Sequence, residues 1–185
     1  DKAILSGFPM EYLSVELSND VQSEYPIGKK EKRIIFPHRL APEKQLEIFN
    51  DLSKNMLDYE FVICQEKQLT KPEYHSLLNS SAMSFSANLQ ETLGICQIEA
   101  ALLNVIPLCP NRLSYSEMYI PEFLYPSEWT KNWSSYQENK IKLIDKMYYL
   151  LTLEQEFPNK INEYMQLQQK KLQPFITCDN LISVL

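Results

Sequence analysis

Three glycines in 185 residues leave few places for a left-handed backbone or a close approach, so each glycine is informative. Histidine is scarcer still, with only His38 and His75. The four cysteines (Cys64, Cys96, Cys109, Cys178) include no Cys-x-x-Cys pair. Scattered thiols and two histidines lack the clustering of a zinc site, so no metal is expected. Cys64 and Cys109 lie in apolar runs, where a free thiol packs as a small core residue. That usage fits a reducing cytoplasm. No apolar run reaches the roughly 18 residues of a membrane span, and no signal-peptide core opens the chain. Excess positive charge is absent too. A net charge of −6 argues against a surface built mainly to neutralise nucleic-acid phosphates, while leaving room for a local basic groove. Residue 1 is Asp rather than Met, which reads as a piece cut from a longer chain.

What is present suits a globular fold. Hydrophobic residues make up 44% and charged ones 23%, enough apolar side chains for a packed core. The first 30 residues read as a strand (Ala3–Leu5), a turn at Gly7 and Pro9, and a polar connection ending at Pro26-Ile27-Gly28. The charge run Lys29–Arg33 reads as a solvated linker. Strands and helices then alternate: Ile34–Phe36, a helix from Pro42 to Asn55, Tyr59–Cys64, a helix Lys71–Ser80, Met83–Ser86, a helix Thr92–Leu103, and Val105–Cys109. Beyond Pro110 the pattern is helical near Ser114–Met118, Ser127–Trp133, Gln137–Leu151 and Leu153–Leu172. The alternation predicts an α/β fold: a Rossmann-like parallel sheet flanked by helices, with a helical C-terminal extension. Aromatics of the last stretch (Trp129, Trp133, Tyr136, Tyr148, Tyr149, Tyr164) read as helix packing, with stacking on bases as the alternative.

In open α/β sheets ligands bind beyond the carboxyl ends of the strands. Two loops there are rich in functional groups. Pro37-His38-Arg39-Leu40-Ala41-Pro42-Glu43-Lys44 places a guanidinium and an ammonium five residues apart at a helix start. Together with free N–H groups they suit a diphosphate. A surface arginine and a first-turn lysine beside Glu43 is the simpler alternative. The second loop leads through Glu91-Thr92-Leu93-Gly94 into a helix carrying Glu99. At helical rise Glu99 would lie roughly 12 Å from Glu91. Ile95, Ile98, Ala100 and Leu102 surround Glu99, so its carboxylate needs donors such as the vicinal hydroxyls of a ribose. The alternatives are a helix-dipole carboxylate for Glu91 and a solvent-facing Glu99.

Glu91-Thr92-Leu93-Gly94-Ile95-Cys96-Gln97-Ile98-Glu99-Ala100 resembles the E-P-F-G-x₄-E-A motif of group 1 (retaining) glycosyltransferases with the GT-B fold. Upstream, Arg39 and Lys44 match that family's diphosphate-gripping pair, with His38 in place of the usual glycine. Phe36-Pro37-His38-Arg39 and the segment Pro107–Met118 resemble tRNA-queuosine mannosyltransferases and the DNA-modifying glycosyltransferases of tailed bacteriophages. Pro37–Gln45 and Tyr125–Thr130 look closer to the phage type.

The resemblance implies the C-terminal, donor-binding half of a GT-B enzyme. Residues 1–32 would be a remnant of the N-terminal domain and linker, 33–125 the nucleotide-sugar-binding domain, and 126–185 a helical extension. It implies a hexosyl- or pentosyltransferase that retains anomeric configuration. The sugar would pass from a nucleotide sugar to a modified nucleobase, a hydroxymethylated base in phage DNA first and queuosine in tRNA second. A glycan or lipid acceptor, or a non-catalytic nucleotide-sugar-binding module, are the remaining alternatives. Arg39, Lys44 and Glu91 would be catalytic. Arg39, Lys44, Glu91, Thr92, Leu93, Gly94 and Glu99 would bind the donor, with Gln65 and Leu69 beside the base and Tyr115 and Glu117 lining the cleft. No cofactor beyond the donor is implied, and no Asp-x-Asp metal motif is present. The expected setting is the cytoplasm (a host's, for a phage protein), without membrane contact, and with an N-terminal domain needed for transfer.

Overall fold

The computed structural model describes residues 7–21 and 25–177. The strand expected at Ala3–Leu5 and Cys178 lie outside these residues. The element order is α1 (Tyr12–Asp20), β1 (Glu31–Phe36), α2 (Leu46–Asn55), β2 (Glu60–Ile63), α3 (Lys71–Ser80), β3 (Ser81–Phe85), α4 (Ile95–Leu102), β4 (Ile106–Pro110), α5 (Tyr115–Met118), β5 (Leu124–Tyr125), α6 (Trp133–Glu156) and α7 (Pro158–Ile176).

The strands form one parallel sheet in the order β2-β1-β3-β4-β5. From β1 the chain moves outward to β2, then returns to place β3 on the other side of β1. The carboxyl ends of β1 and β3 therefore flank the point where strand order reverses, the place where such sheets open a crevice. The period-two alternation of β1 divides the core. Ile34 and Phe36 pack with Phe49 and Leu52 of α2 and with Leu143 and Met147 of α6. Ile35 faces the other way, onto Leu78 of α3 and Ala100 of α4. A third cluster joins Leu13 of α1, Ile98 of α4, Tyr115 of α5 and Leu172 of α7. The late helices thus pack on the sheet and share its core.

Several expectations need correcting. The polar connection contains α1, whose buried face is only Leu13 and Leu17, one turn apart, too small a signal among polar neighbours. The helix expected over Pro42–Asn55 is broken. Pro42–Lys44 is a 3₁₀ turn, and Gln45 adopts a left-handed φ of 53° before α2 starts. Its side-chain amide donates to the carbonyls of Ala87 (2.5 Å) and Thr130 (2.7 Å), two buried groups that repay the strain. The break between the last helices falls at Phe157–Pro158, with proline in the first turn of α7 rather than near Thr152. Strand β5 falls between the pieces read as helical near Ser114–Met118 and Ser127–Trp133, and two residues carry no periodicity to find.

The run Lys29–Arg33 is not a solvated linker. It leads into β1, and Lys30 is buried. The Lys30 ammonium donates to the carbonyls of Asn79 (2.6 Å) and Leu103 (3.0 Å), at the C-terminal ends of α3 and α4. A cation there meets the negative ends of two helix dipoles. Burial pulls the Lys30 amine down to about 8, against the pull of Glu154. An unfolded lysine titrates near 10.4, so between about pH 8 and that value the unfolded chain holds a proton the folded chain has released. Stability therefore rises with pH across this window through this group. Lys30→Met is expected to remove that contribution. The parent-minus-variant difference in urea midpoint should grow from about pH 7.5 to about pH 9.5, and a constant difference contradicts the assignment.

Candidate functional site

Two adjoining pockets open at the carboxyl ends of β1, β2 and β3. The first, about 490 Å³, is walled by Gln65 and Leu69 from the segment after β2, Lys71 and Tyr74 of α3, and Cys96 and Glu99 of α4. Ile95, Cys96 and Glu99 share one face of α4 by their spacing of three and four residues. Glu99 is 6% exposed, which rules out the solvent-facing alternative. Its Oε2 accepts from the Tyr74 hydroxyl at 3.1 Å, and its Oε1 lies 3.4 Å from His75 Nε2. Burial pushes the Glu99 carboxyl upward, while His75 and Tyr74 oppose that rise without cancelling it.

The second pocket, about 550 Å³, is walled by His38, Arg39, Lys44, Glu91, the Thr92–Gly94 backbone and the start of α4. It shares Pro37, Ile95 and Cys96 with the first. Lys44 is buried, and its Nζ lies 2.8 Å from the Gln90 carbonyl and 3.1 Å from Glu91 Oε2. Burial pushes the Glu91 carboxyl up, but Lys44 and the Thr92 N–H outweigh it, so Glu91 is held below the usual carboxylate range. Arg39 sits at the rim instead. Its side chain is 73% exposed and pairs with Glu43 at 2.5 Å. His38 is buried, and burial first, then Lys44, pull its imidazole down to about 4. It is therefore neutral at neutral pH and adds no charge to the pocket.

Helix α4 begins at Ile95, three residues later than the sequence pattern indicates, because Gly94 takes a φ of +71°. A Cβ on Gly94 would stand 2.8 Å from Tyr115 Cε1, so both conformation and space require glycine. The consequence is that Glu91 lies in a loop, and the helical-rise spacing to Glu99 does not apply. The two carboxylates belong to different pockets. Asn88 Nδ2 fixes this loop by donating to Glu91 Oε2 and to the Tyr115 hydroxyl, each at 3.0 Å. Arg112 braces it from behind, donating to the carbonyls of Asn88 (2.7 Å), Ala87 (2.7 Å) and Ser127 (2.9 Å).

The structure thus brings Lys44, Glu91 and the Thr92–Gly94 backbone together, places Arg39 at their edge, and gathers Gln65, Leu69 and Glu99 in the neighbouring pocket. Tyr115 is buried beneath Gly94, while Glu117 lines a separate small cavity with Phe8 and Phe175. Of the late aromatics, Tyr136 is buried, whereas Trp133 and Tyr149 are exposed, Trp133 with one ring contact to Tyr136. Sequence reading missed His75, Asn88 and Arg112 as parts of the site's support. Arg112 stood in a segment already singled out and Asn88 three residues before Glu91, but nothing in their spacing says which carbonyl or carboxylate they meet. Among the described residues no cluster of three or more His, Cys, Asp or Glu is arranged to hold a metal ion, and no helix is long and apolar enough to cross a membrane.

No protein-family model matches the sequence. Among curated proteins, the tRNA-queuosine alpha-mannosyltransferase of Drosophila melanogaster is 28% identical over a 119-residue alignment, taking in 50% of this chain and 32% of that one. Among solved structures, the pneumococcal O-GlcNAc transferase GtfA, crystallised with UDP and GlcNAc, matches with a TM-score of 0.53 at 15% identity, over 89% of this chain and 37% of that one. The chain thus spans about a third of the length of each relative, and at 15% identity the structural match speaks for the fold alone. In sequence and in fold, the chain is similar to glycosyltransferases of the GT-B type.

Proposed function

We propose that the chain is the donor-binding half of a GT-B glycosyltransferase that moves a sugar from a nucleoside diphosphate onto a modified nucleobase. The observation that carries this reading is the pair of adjoining pockets, one closed by a buried carboxylate and the other by a lysine–carboxylate pair at a helix start. A nucleotide sugar has the same two parts. In this reading the base lies by Gln65 and Leu69, and the ribose diol donates to Glu99. The diphosphate lies against Lys44, Arg39 and the free N–H groups at the start of α4. The sugar lies by Glu91 and the Thr92–Gly94 backbone.

The chemistry follows from charge. The bond between the anomeric carbon and the diphosphate oxygen breaks, and its electron pair stays on the diphosphate. The acceptor hydroxyl oxygen bonds to that carbon, and its proton ends on the released diphosphate. Lys44 and Arg39 stabilise the developing negative charge, the part that a metal plays in other transferases. Retention of configuration follows from the likeness to group 1 enzymes, as does the need for an N-terminal domain to complete the cleft. The acceptor is a hydroxyl on a modified base. The phage-like motifs support a hydroxymethylated base in DNA, and the match to the fly enzyme supports queuosine in tRNA.

Calorimetric titration with UDP, GDP, ADP and their sugar conjugates tests the first half of the proposal. Saturable binding of one nucleotide by the folded chain is the expected result, and binding of none overturns it. Transfer assays with the full-length protein, on hydroxymethylated DNA and on queuosine tRNA, then identify the acceptor. Binding without transfer to either leaves a glycan or lipid acceptor, or a non-catalytic binding module.

A further inference from the structure

His75 is completely buried between two carboxylates from different helices. Its Nδ1 lies 2.6 Å from Asp20 Oδ2, at the last residue of α1, and its Nε2 lies 3.4 Å from Glu99 Oε1 on α4. Each ring nitrogen thus faces one carboxylate oxygen, which fixes the plane of the imidazole and, through Nε2, the place of Glu99 Oε1. A second ion pair, Glu16 with Lys71, ties α1 to α3 one turn earlier on each helix, and Lys71 and Tyr74 both line the first pocket. Helix α1 is thereby coupled to the pocket wall although it does not touch the pocket.

The geometry points to Asp20 and His75 as positioning residues that hold the Glu99 carboxylate for a ribose diol and so make the pocket prefer ribonucleotides to 2′-deoxyribonucleotides. The inference rests on reading the first pocket as the nucleoside site. A glutamate side chain has three rotatable bonds, and its carboxylate plane is fixed only by what it accepts. His75 Nε2 stands against Oε1 and the Tyr74 hydroxyl donates to Oε2, which leaves an acceptor site on each oxygen for the two hydroxyls of a diol. A 2′-deoxyribose fills one of these sites. Without His75 the carboxylate loses its orientation, and burial favours its protonated form, which offers fewer acceptors.

The test is calorimetry on the 185-residue chain with UDP, GDP and ADP, each against its 2′-deoxy counterpart. The parent should prefer the ribonucleotide by about tenfold or more, the worth of one hydrogen bond to a charged acceptor. His75→Leu and Asp20→Ala should reduce that preference to about twofold, with affinity for the deoxy form changed by less than about threefold. Asp20→Ala guards against misfolding of the His75 variant, since Asp20 is partly exposed. Asp20→Asn keeps an acceptor oxygen for Nδ1–H and should retain the preference. A preference that survives both His75→Leu and Asp20→Ala overturns the inference, as does an equal loss for ribo and deoxy ligands, which marks a merely structural role. A parent chain that binds no nucleotide overturns the functional reading itself.

Discussion

Glu99→Gln is expected to weaken nucleoside diphosphate binding about 100-fold while leaving the melting temperature unchanged or raised. The binding loss follows from the hydrogen-bond count. On the proposed reading the carboxylate accepts from both ribose hydroxyls, and each such bond to a charged group is worth about 1.5–3 kcal/mol. A carboxamide keeps one oxygen and turns an NH₂ towards the other hydroxyl, so roughly 2.7 kcal/mol, a factor of about 100, is lost. Stability moves the other way. Burial raises the Glu99 carboxyl in the fold, so above the unfolded value near 4.3 the folded chain binds a proton that the unfolded chain has released. Stability from this group falls as pH rises through the folded value, because the buried charge forms there. The carboxamide of the variant has no charge to bury, and that gain offsets the weaker contact with His75. Calorimetry and a thermal melt on one preparation check both halves. Retained affinity, or a melting point several degrees lower, contradicts the argument. A residue that costs the fold stability and serves binding is the usual mark of a functional position.

The parts of this molecule legible in its sequence are those with a period or a sharp local signal. Ile34-Ile35-Phe36 announced a central strand because its neighbours in both layers demand apolar side chains on both faces. The span Lys71–Ser80 could be read to the residue because Thr70 and Glu73 form a capping box and Pro72 sits in the first turn. Lys44, Glu91 and Glu99 stood out as charges at strand ends or on an apolar helix, and the structure places each on a pocket wall. Illegible were the features set by long-range pairing. Lys30 looked like one lysine in a charge run, and only the convergence of two helix ends shows why it is buried. Gln45 breaks a helix for the sake of carbonyls 42 and 85 residues away. His75 sits on a helix predicted correctly, yet its two carboxylate partners lie 55 and 24 residues distant. Arg39 lines the second pocket as its sequence position suggests, but its exposed pairing with Glu43 at the rim could not be read from loop position alone.

Lys44→Met should separate two roles that this buried ammonium combines. On the proposed reading it faces a diphosphate, and in the unliganded fold it neutralises Glu91 at 3.1 Å. Removing it takes a cation from the ligand and leaves a half-buried carboxylate held by the Asn88 amide and the Thr92 N–H but with no cation beside it. Affinity for the preferred nucleoside diphosphate should fall about 30- to 100-fold, the worth of a charge-assisted contact plus the new repulsion from Glu91. Affinity for the corresponding nucleoside, which has no phosphate, should change by less than about twofold. Breaking a buried pair on one side costs up to about 3–5 kcal/mol, an upper bound here because Glu91 is only partly buried. The double variant Lys44→Met/Glu91→Gln should therefore recover most of the urea midpoint that Lys44→Met loses, because it leaves no unpaired charge. It should not recover diphosphate binding, because the cation is still missing. Raising the salt concentration should weaken diphosphate binding by the parent more than by either variant, since screening acts on the charge that the variants lack. If the double variant regains binding together with stability, Lys44 serves only to neutralise Glu91. The diphosphate would then have to be held by Arg39 and the start of α4, with Arg39 turning in from the rim and releasing Glu43.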